Sequence, residues 1–536
     1  MTLRRLGATT LLTFATSCRA QPAPSPDGGS ATGAAGGAPA PSLVVLIAVD
    51  QMRADYLDRF APQFSGGLAR LASGGARFTD AHQDHALTET APGHATLLAG
   101  RFPRSTGIES NSAGVGDTGM PLLDGGAELG ASPRRFRGTT LVDWLRARDG
   151  GSRALSVSGK DRSAILPVGR SRQQVFWYGP HGRFTTSRYY GDSLPAWVQR
   201  YNARDRARRL AGHAWELLLA DSAYRERDSV SVEGGGGDFA FPHRIPADSA
   251  AAADYVRVTP WLDEIVLGAA LEGVGALALG GGPHTDVLSV SLSATDAIGH
   301  TYGPDSREIH DQMLRLDRAL GVFLDSLFRL RDSSRVIVAL SADHGVSRIP
   351  ELAADGASSI PMRVDPDSLV RNMQAALRAA GADPRALVRG PMLVTLDRAV
   401  LKRGPVDADS ALVLLAAVAR QTPGVLRADR FRDLRGADTV HDAIARRWLH
   451  HFPADAPLDL VVTLEPLSAW GQSVASHGSP HDADSHVPLI FYGPPFRPGR
   501  YDGFVRTVDL APTLAAALGV RPTEKLDGVV LKQALK

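Results

Sequence analysis

Six side chains able to bind metal ions stand in a regular relation to short apolar runs. Asp50 ends the run Leu43 to Val49, Asp296 closely follows Val287 to Leu292, and Asp343 closely follows Val336 to Leu340. His300 lies four residues after Asp296, a spacing that one helical turn places on a common face. His344 adjoins Asp343 in the string Ser-Ala-Asp-His-Gly. Adjacent side chains reach one ion only from an irregular turn, which Gly345 is expected to permit. His477 belongs to a His-Gly pair ahead of the last apolar run. One acid after one strand is ordinarily a cap or loop residue, and one histidine is ordinarily a surface or satisfied core residue. Three of each form a candidate ligand set of nitrogen and oxygen donors, which suits zinc and other divalent ions. The single cysteine, Cys18, excludes an internal disulfide and a cysteine-rich zinc site.

A nucleophile candidate lies in Thr88-Glu-Thr-Ala-Pro-Gly-His-Ala-Thr-Leu-Leu-Ala-Gly100. Pro92 suits the first turn of a helix and Gly100 its end, so Thr90 falls at or just before the helix start. The backbone N–H groups and dipole there are expected to favour an alkoxide and a phosphoryl anion. Taken alone, Thr90 reads as a plain helix cap. A threonine hydroxyl needs a metal or a base to act as a nucleophile at neutral pH.

The elements that must position these groups alternate. The runs Leu43 to Val49, Ala154 to Val157, Val287 to Leu292, Val336 to Leu340, Leu458 to Leu464 and Val487 to Tyr492 have strand length and β-branched character. Helical patterns lie between most of them, at Leu141 to Ala147, Ile309 to Leu330 and Val370 to Ala380. Such alternation predicts an α/β fold with a mainly parallel central sheet and helices on both faces. Sites in open α/β sheets form at the carboxyl ends of the strands, where the three acids would converge. Two segments, about 173–280 and 346–476, interrupt the chemical residues and read as inserted caps.

The chain of 536 residues has 43% hydrophobic and 22% charged residues, ordinary values for a globular protein. A net charge of +2 and the lack of any Lys/Arg run argue against nucleic acid as a partner. Arg4 and Arg5 precede an apolar stretch, Leu6 to Ala15, too short to span a bilayer. Residues 1–20 therefore read as an export signal. Small residues before Cys18 resemble a lipobox, which would make Cys18 a lipid anchor and the only membrane attachment; cleavage after Ala20 is the alternative. Residues 21–41 are nearly all Gly, Ala, Pro and Ser and read as a flexible tether. A periplasmic or cell-envelope location is the expectation, with residues 42–536 as the folded part.

The ordered strings Asp, Thr-x-Pro-x-His, Asp-x-x-x-His, Asp-His-Gly and His-Gly resemble the alkaline phosphatase superfamily, in its threonine-nucleophile branch. That branch holds the phosphate-irrepressible bacterial alkaline phosphatases and the type I phosphodiesterase/nucleotide pyrophosphatases. The resemblance runs from Leu43 to about Ala517. It implies two zinc ions per chain: one held by Asp296, His300 and His477, the other by Asp50, Asp343 and His344, with Thr90 as a further ligand and the nucleophile. His481 and His486 compete with His477 for the last position; the His-Gly pair favours His477. The resemblance further implies that Asn111, Lys160 and Arg162 bind the substrate phosphate, as in the monoesterases. The Lys-x-Arg pair is generally lacking in the diesterases. The expected activity is hydrolysis of small-molecule phosphate monoesters through a phospho-threonine. Phosphodiesterase or pyrophosphatase activity on the same site is the alternative, and a non-catalytic envelope binding protein is the second.

Overall fold

The computed structural model describes residues 40–124, 130–353, 360–390 and 392–536. Residues 1–20, read as an export signal, with Cys18, and nearly all of residues 21–41, read as a tether, lie outside the described residues.

Leu43–Val49 is apolar at every position and fully buried, as a central strand covered on both faces must be. Leu43, Val45, Ile47 and Val49 enter one core, while Val44, Leu46 and Ala48 enter the core on the opposite face. The strand lies in a nine-stranded sheet. From one edge the order is Gly499–Arg506, Ala76–His82, His486–Tyr492, Val336–Ser341, Leu43–Val49, Asp286–Leu292, Ala154–Ser158, Gln174–Tyr178 and Phe184–Thr185. The middle is parallel, with Leu43 opposite both Asp286 and Val336. His486–Tyr492, which contains the apolar run Val487 to Tyr492, runs antiparallel to both its neighbours. The long helix Arg307–Leu330 covers one face. Its buried stripe Ile309, Met313, Leu316, Leu320, Phe323 and Leu327 keeps helical spacing, and the Ser306 side chain caps its start by accepting from the Ile309 N–H.

Leu460–Leu464, inside the 346–476 segment read as an insertion, belongs to a separate four-stranded sheet with Leu387–Arg389, Leu393–Leu396 and Val425–Arg430. Its apolar composition is explained by burial: Leu460, Val462 and Leu464 pack with Leu369, Met373 and Leu415 in a core of their own. Thus the 346–476 segment carries a sheet distinct from the main one. The 173–280 segment, by contrast, begins with two strands that extend the main sheet, Gln174–Tyr178 and Phe184–Thr185. Among the described residues, no helix is long and apolar enough to cross a membrane.

Candidate active site

The three acids meet at the carboxyl ends of three adjacent strands. Asp50 directly follows Leu43–Val49, and its N–H donates to the Leu292 carbonyl at the end of the next strand. Asp296 sits in the first turn of helix Ala294–Tyr302, and His300 in its last turn. Two groups of ligand atoms result: Asp296, His300 and His477, and Asp50, Asp343 and His344.

Their spacing fits tetrahedral coordination. Ligand atoms about 2.0–2.1 Å from an ion at tetrahedral angles lie about 3.3–3.4 Å from one another. In the first group His300 Nε2 is 3.1 Å from His477 Nε2, and these atoms are 3.3 and 3.6 Å from Asp296 Oδ1. In the second, His344 Nε2 is 3.5 Å from both Asp50 Oδ1 and Asp343 Oδ2. Asp50 Oδ1, Asp343 Oδ2 and His344 Nε2 are buried without a hydrogen-bond partner. Such orphaned atoms are expensive unless a cation meets them.

The imidazoles are oriented for the same task. His300 Nδ1 donates to the Ala475 carbonyl, His344 Nδ1 to the Gly345 carbonyl and His477 Nδ1 to the Thr88 carbonyl. A backbone acceptor on Nδ1 fixes the tautomer that leaves the Nε2 lone pair free for an ion. Burial pushes His344 below its ordinary range, and burial with the nearby His344 and His300 pushes His477 far below it, so both are neutral. Burial and the charges of Asp296 and Asp343 drive Asp50 well above the usual carboxylate range. Burial acts upward on Asp296 too, but Lys160 and His300 outweigh it and hold that group well below. The residues present therefore fit two divalent cations.

His481 and His486 are placed elsewhere. His481 Nε2 bonds the Leu464 carbonyl, and His486 Nε2 the Thr79 carbonyl. His486 joins Asp80 and His82 in a third group. There, the Arg447 guanidinium lies 3.2 Å from His82 Nδ1, which must accept, so the Nε2–H is committed to Asp80 Oδ1 at 2.8 Å. That ring is an ion-pair spacer, poorly suited to a metal.

Thr90 is buried and opens the helix Thr90–Leu97, and its neighbours in sequence contact both ligand groups. Two residues earlier, the Thr88 carbonyl holds His477. On the other side, His94 Nδ1 lies 3.0 Å from Asp343 Oδ2, and its Nε2 bonds Ser291 Oγ at 2.8 Å. Gly93 allows this approach: a Cβ there would lie 2.1 Å from the Asp343 carbonyl oxygen. The expected row of free N–H donors at the helix start is corrected by the structure. The Ala91 N–H donates to Asn111 Oδ1, Pro92 has none, and the Gly93 N–H donates to the Glu89 carbonyl. The Ala91 and Gly93 N–H groups are therefore already engaged and do not serve a phosphoryl group. Gly345, expected to supply an unusual turn, takes no left-handed conformation. It provides room, since a Cβ would lie 2.4 Å from the Ala483 carbonyl oxygen.

Lys160 and Arg162 flank the start of the short helix Asp161–Ile165, just after the strand Ala154–Ser158. Lys160 Nζ bridges the two groups, 2.7 Å from Asp50 Oδ2 and 2.5 Å from Asp296 Oδ2. Burial acts downward on it, but the two carboxylates outweigh that and keep it charged. Arg162 has no tight acidic partner; its nearest, Asp161, is 3.6 Å away, and its Nε is unpaired. Asn111, fixed through Oδ1 by Ala91 and through its own N–H by Glu89 Oε2, keeps its amide NH2 as a donor.

Residues 44–387 match the sequence model of type I phosphodiesterase/nucleotide pyrophosphatases. The chain belongs to this family. Alkaline phosphatase PafA of Elizabethkingia meningoseptica is 30% identical over 507 residues, covering 90% of this chain and 92% of its own. Alkaline phosphatase PhoK of Sphingomonas sp is 30% identical over 516 residues, covering 91% and 90%. The crystal structure of wild-type PafA matches this fold with a TM-score of 0.84 at 27% identity, over 94% of this chain and all of that one. The type I phosphodiesterase/nucleotide pyrophosphatase family thus includes the chain, and its similarity to the two alkaline phosphatases extends over nearly its full length. Sequence reasoning passed over Glu89, Gly93 and Gln51. The first two lie inside the Thr90 string and the third adjoins Asp50, so proximity to a motif was the only available signal.

Proposed function

We propose that this protein is an alkaline phosphatase, a metal-dependent phosphate monoester hydrolase that passes the phosphoryl group to Thr90 and then to water. The observation that carries this reading is the pair of tetrahedrally spaced ligand groups, bridged by Lys160 and contacted on either side of Thr90 by the Thr88 carbonyl at His477 and by His94 at Asp343. Zinc, two ions per chain, is the metal we infer from the three carboxylates and three imidazoles, of which His344 and His477 are held neutral by burial. Two such ions lower the pKa of a ligated hydroxyl and neutralise charge on the attacking and leaving oxygens of an in-line displacement.

The chain's own groups do the rest. Thr90 Oγ1, its proton given up to water, attacks phosphorus; the bond to the leaving-group oxygen breaks with the electron pair on that oxygen, which takes up a proton from water, and phospho-Thr90 forms. Water then attacks that phosphorus from the vacated side, releasing phosphate and restoring Thr90. Lys160, Arg162 and the Asn111 amide bind the remaining phosphoryl oxygens through charge-assisted and neutral hydrogen bonds. A monoester presents more anionic oxygen than a diester, so a site with two cations beyond the metals favours the monoester. The names of the two full-length relatives support the same preference.

Acid quenching during turnover of an aryl phosphate, followed by peptide mass spectrometry, tests the assignment. Phosphate on Thr90 is the expected result, with its loss in Thr90→Ala; phosphate on another residue would refute it. We further infer an envelope location from the residue 1–20 signal and a lipid anchor at Cys18, which the mass of the mature N-terminus checks. A mature chain that starts at Gln21 would replace anchoring with simple secretion.

A further inference from the structure

We propose that Gln51 is a positioning residue that couples the two metal-ligand groups, holding Asp343 through its backbone and Asp296 through its side chain. This rests on the two-metal reading above. The Gln51 N–H donates to Asp343 Oδ1 at 3.1 Å, and the His344 N–H donates to the same oxygen at 3.1 Å. Asp343 is thereby turned so that Oδ2 faces His344 Nε2. The Gln51 side-chain amide donates to Asp296 Oδ1 at 2.8 Å. A carboxylate only accepts, so the NH2 must be the end that points at Asp296. One buried residue thus contacts one ligand from each group.

Two features indicate that this contact is costly for the backbone to make. Gln51 has φ 67°, a left-handed conformation that a long side chain rarely adopts and that glycine would adopt freely. The helix bearing Asp296 and His300 also makes room for it: a Cβ at Gly299 would lie 1.9 Å from Gln51 Oε1. Strain of this kind persists where the surroundings hold it in place, and it concentrates at functional sites. Groups that orient metal ligands typically change metal affinity or activity by about 10- to 100-fold when removed.

The backbone and side-chain contacts can be separated. Gln51→Gly keeps the N–H to Asp343, relieves the backbone and removes the amide from Asp296. Gly299→Ala leaves Gln51 in the chain but displaces its side chain. The test is zinc titration of the full chain after chelation, read by competition with a chromophoric chelator, with thermal melting of the metal-free form alongside. Each variant should weaken one of two bound ions by about 10- to 100-fold and leave the other within a few-fold. Metal-free Gln51→Gly should melt no lower than the unmodified protein. The double variant should be no worse than Gln51→Gly, because the added methyl then meets no side chain. Equal weakening of both ions, unchanged affinities, additive losses, or a lower metal-free melting temperature in Gln51→Gly would each overturn the proposal. Fewer than two ions in the unmodified protein would overturn it together with the two-metal reading; two ions with unaltered variants would overturn it alone.

Discussion

Replacing Lys160 by alanine separates the two tasks assigned to its ammonium group. Nζ lies 2.7 Å from Asp50 Oδ2 and 2.5 Å from Asp296 Oδ2, and with Asp343 these make three buried carboxylates around one lysine. In the metal-free protein its removal leaves buried acids without a partner, a change that typically costs about 3–5 kcal/mol. Protonation of Asp50, already pushed upward by burial and its acidic neighbours, will absorb part of this. With metal bound, the ions neutralise the same carboxylates, so the melting temperature should fall less in the loaded than in the metal-free variant. In turnover, the charge-assisted hydrogen bond to phosphate proposed for Lys160 would be worth about 1.5–3 kcal/mol, or roughly 10- to 100-fold in rate. The assay is kcat/KM for an aryl phosphate monoester and the matching diester, on unmodified and Lys160→Ala protein with two ions confirmed in each. Monoester hydrolysis should fall by that factor and diester hydrolysis by clearly less. Equal losses on both substrates would refute the phosphate-binding role and leave Lys160 as a structural counter-ion.

Three further outcomes follow from the same geometry. Strong chelation should abolish activity and lower the melting temperature, because it exposes the orphaned Asp50, Asp343 and His344 atoms to an uncompensated interior; full activity without metal would contradict this. Gly93→Ala should sharply reduce turnover, since its Cβ, 2.1 Å from the Asp343 carbonyl oxygen, must push the Thr90 helix away from one ligand group; steady-state kinetics at full metal occupancy checks it. Glu233 is 3% exposed, and burial followed by the nearby Glu308 raises its carboxyl to about 8. A raised folded-state value means that stability is fully present below the unfolded value of about 4.3 and is lost as pH rises to about 8. Glu233→Gln should therefore gain melting temperature relative to the unmodified protein between pH 5 and pH 9, by the equivalent of a few kcal/mol at most; a gain independent of pH would be the wrong result.

The central strands were legible because a strand buried on both faces reads as an uninterrupted apolar run, as Leu43–Val49 does. Strand direction was not, since His486–Tyr492 has the same composition whether it pairs parallel or antiparallel. Edge strands such as Gly499–Arg506, mostly exposed and rich in glycine and charge, carry no such run. Leu460–Leu464 shows that an apolar run reports burial, not which sheet provides it. The six candidate ligand residues could be picked out by type and spacing, and the structure brings them into two groups. What sequence could not supply is the set of contacts orienting them, because these join positions hundreds of residues apart: Thr88 to His477, Ala475 to His300, Gln51 to Asp343. The capture of the Ala91 and Gly93 N–H groups was equally hidden, being a matter of where Asn111 and the Glu89 carbonyl fall once the chain has folded.

The most direct test of the account is the substrate preference of the unmodified enzyme. Purified protein loaded with zinc is given an aryl phosphate monoester and the matching diester at the same pH, and kcat/KM is measured for each. Lys160, which bridges the two ligand groups, and Arg162, two residues on, predict a higher value for the monoester. A higher value for the diester would contradict the assignment and make the protein a phosphodiesterase that uses the same metal centre.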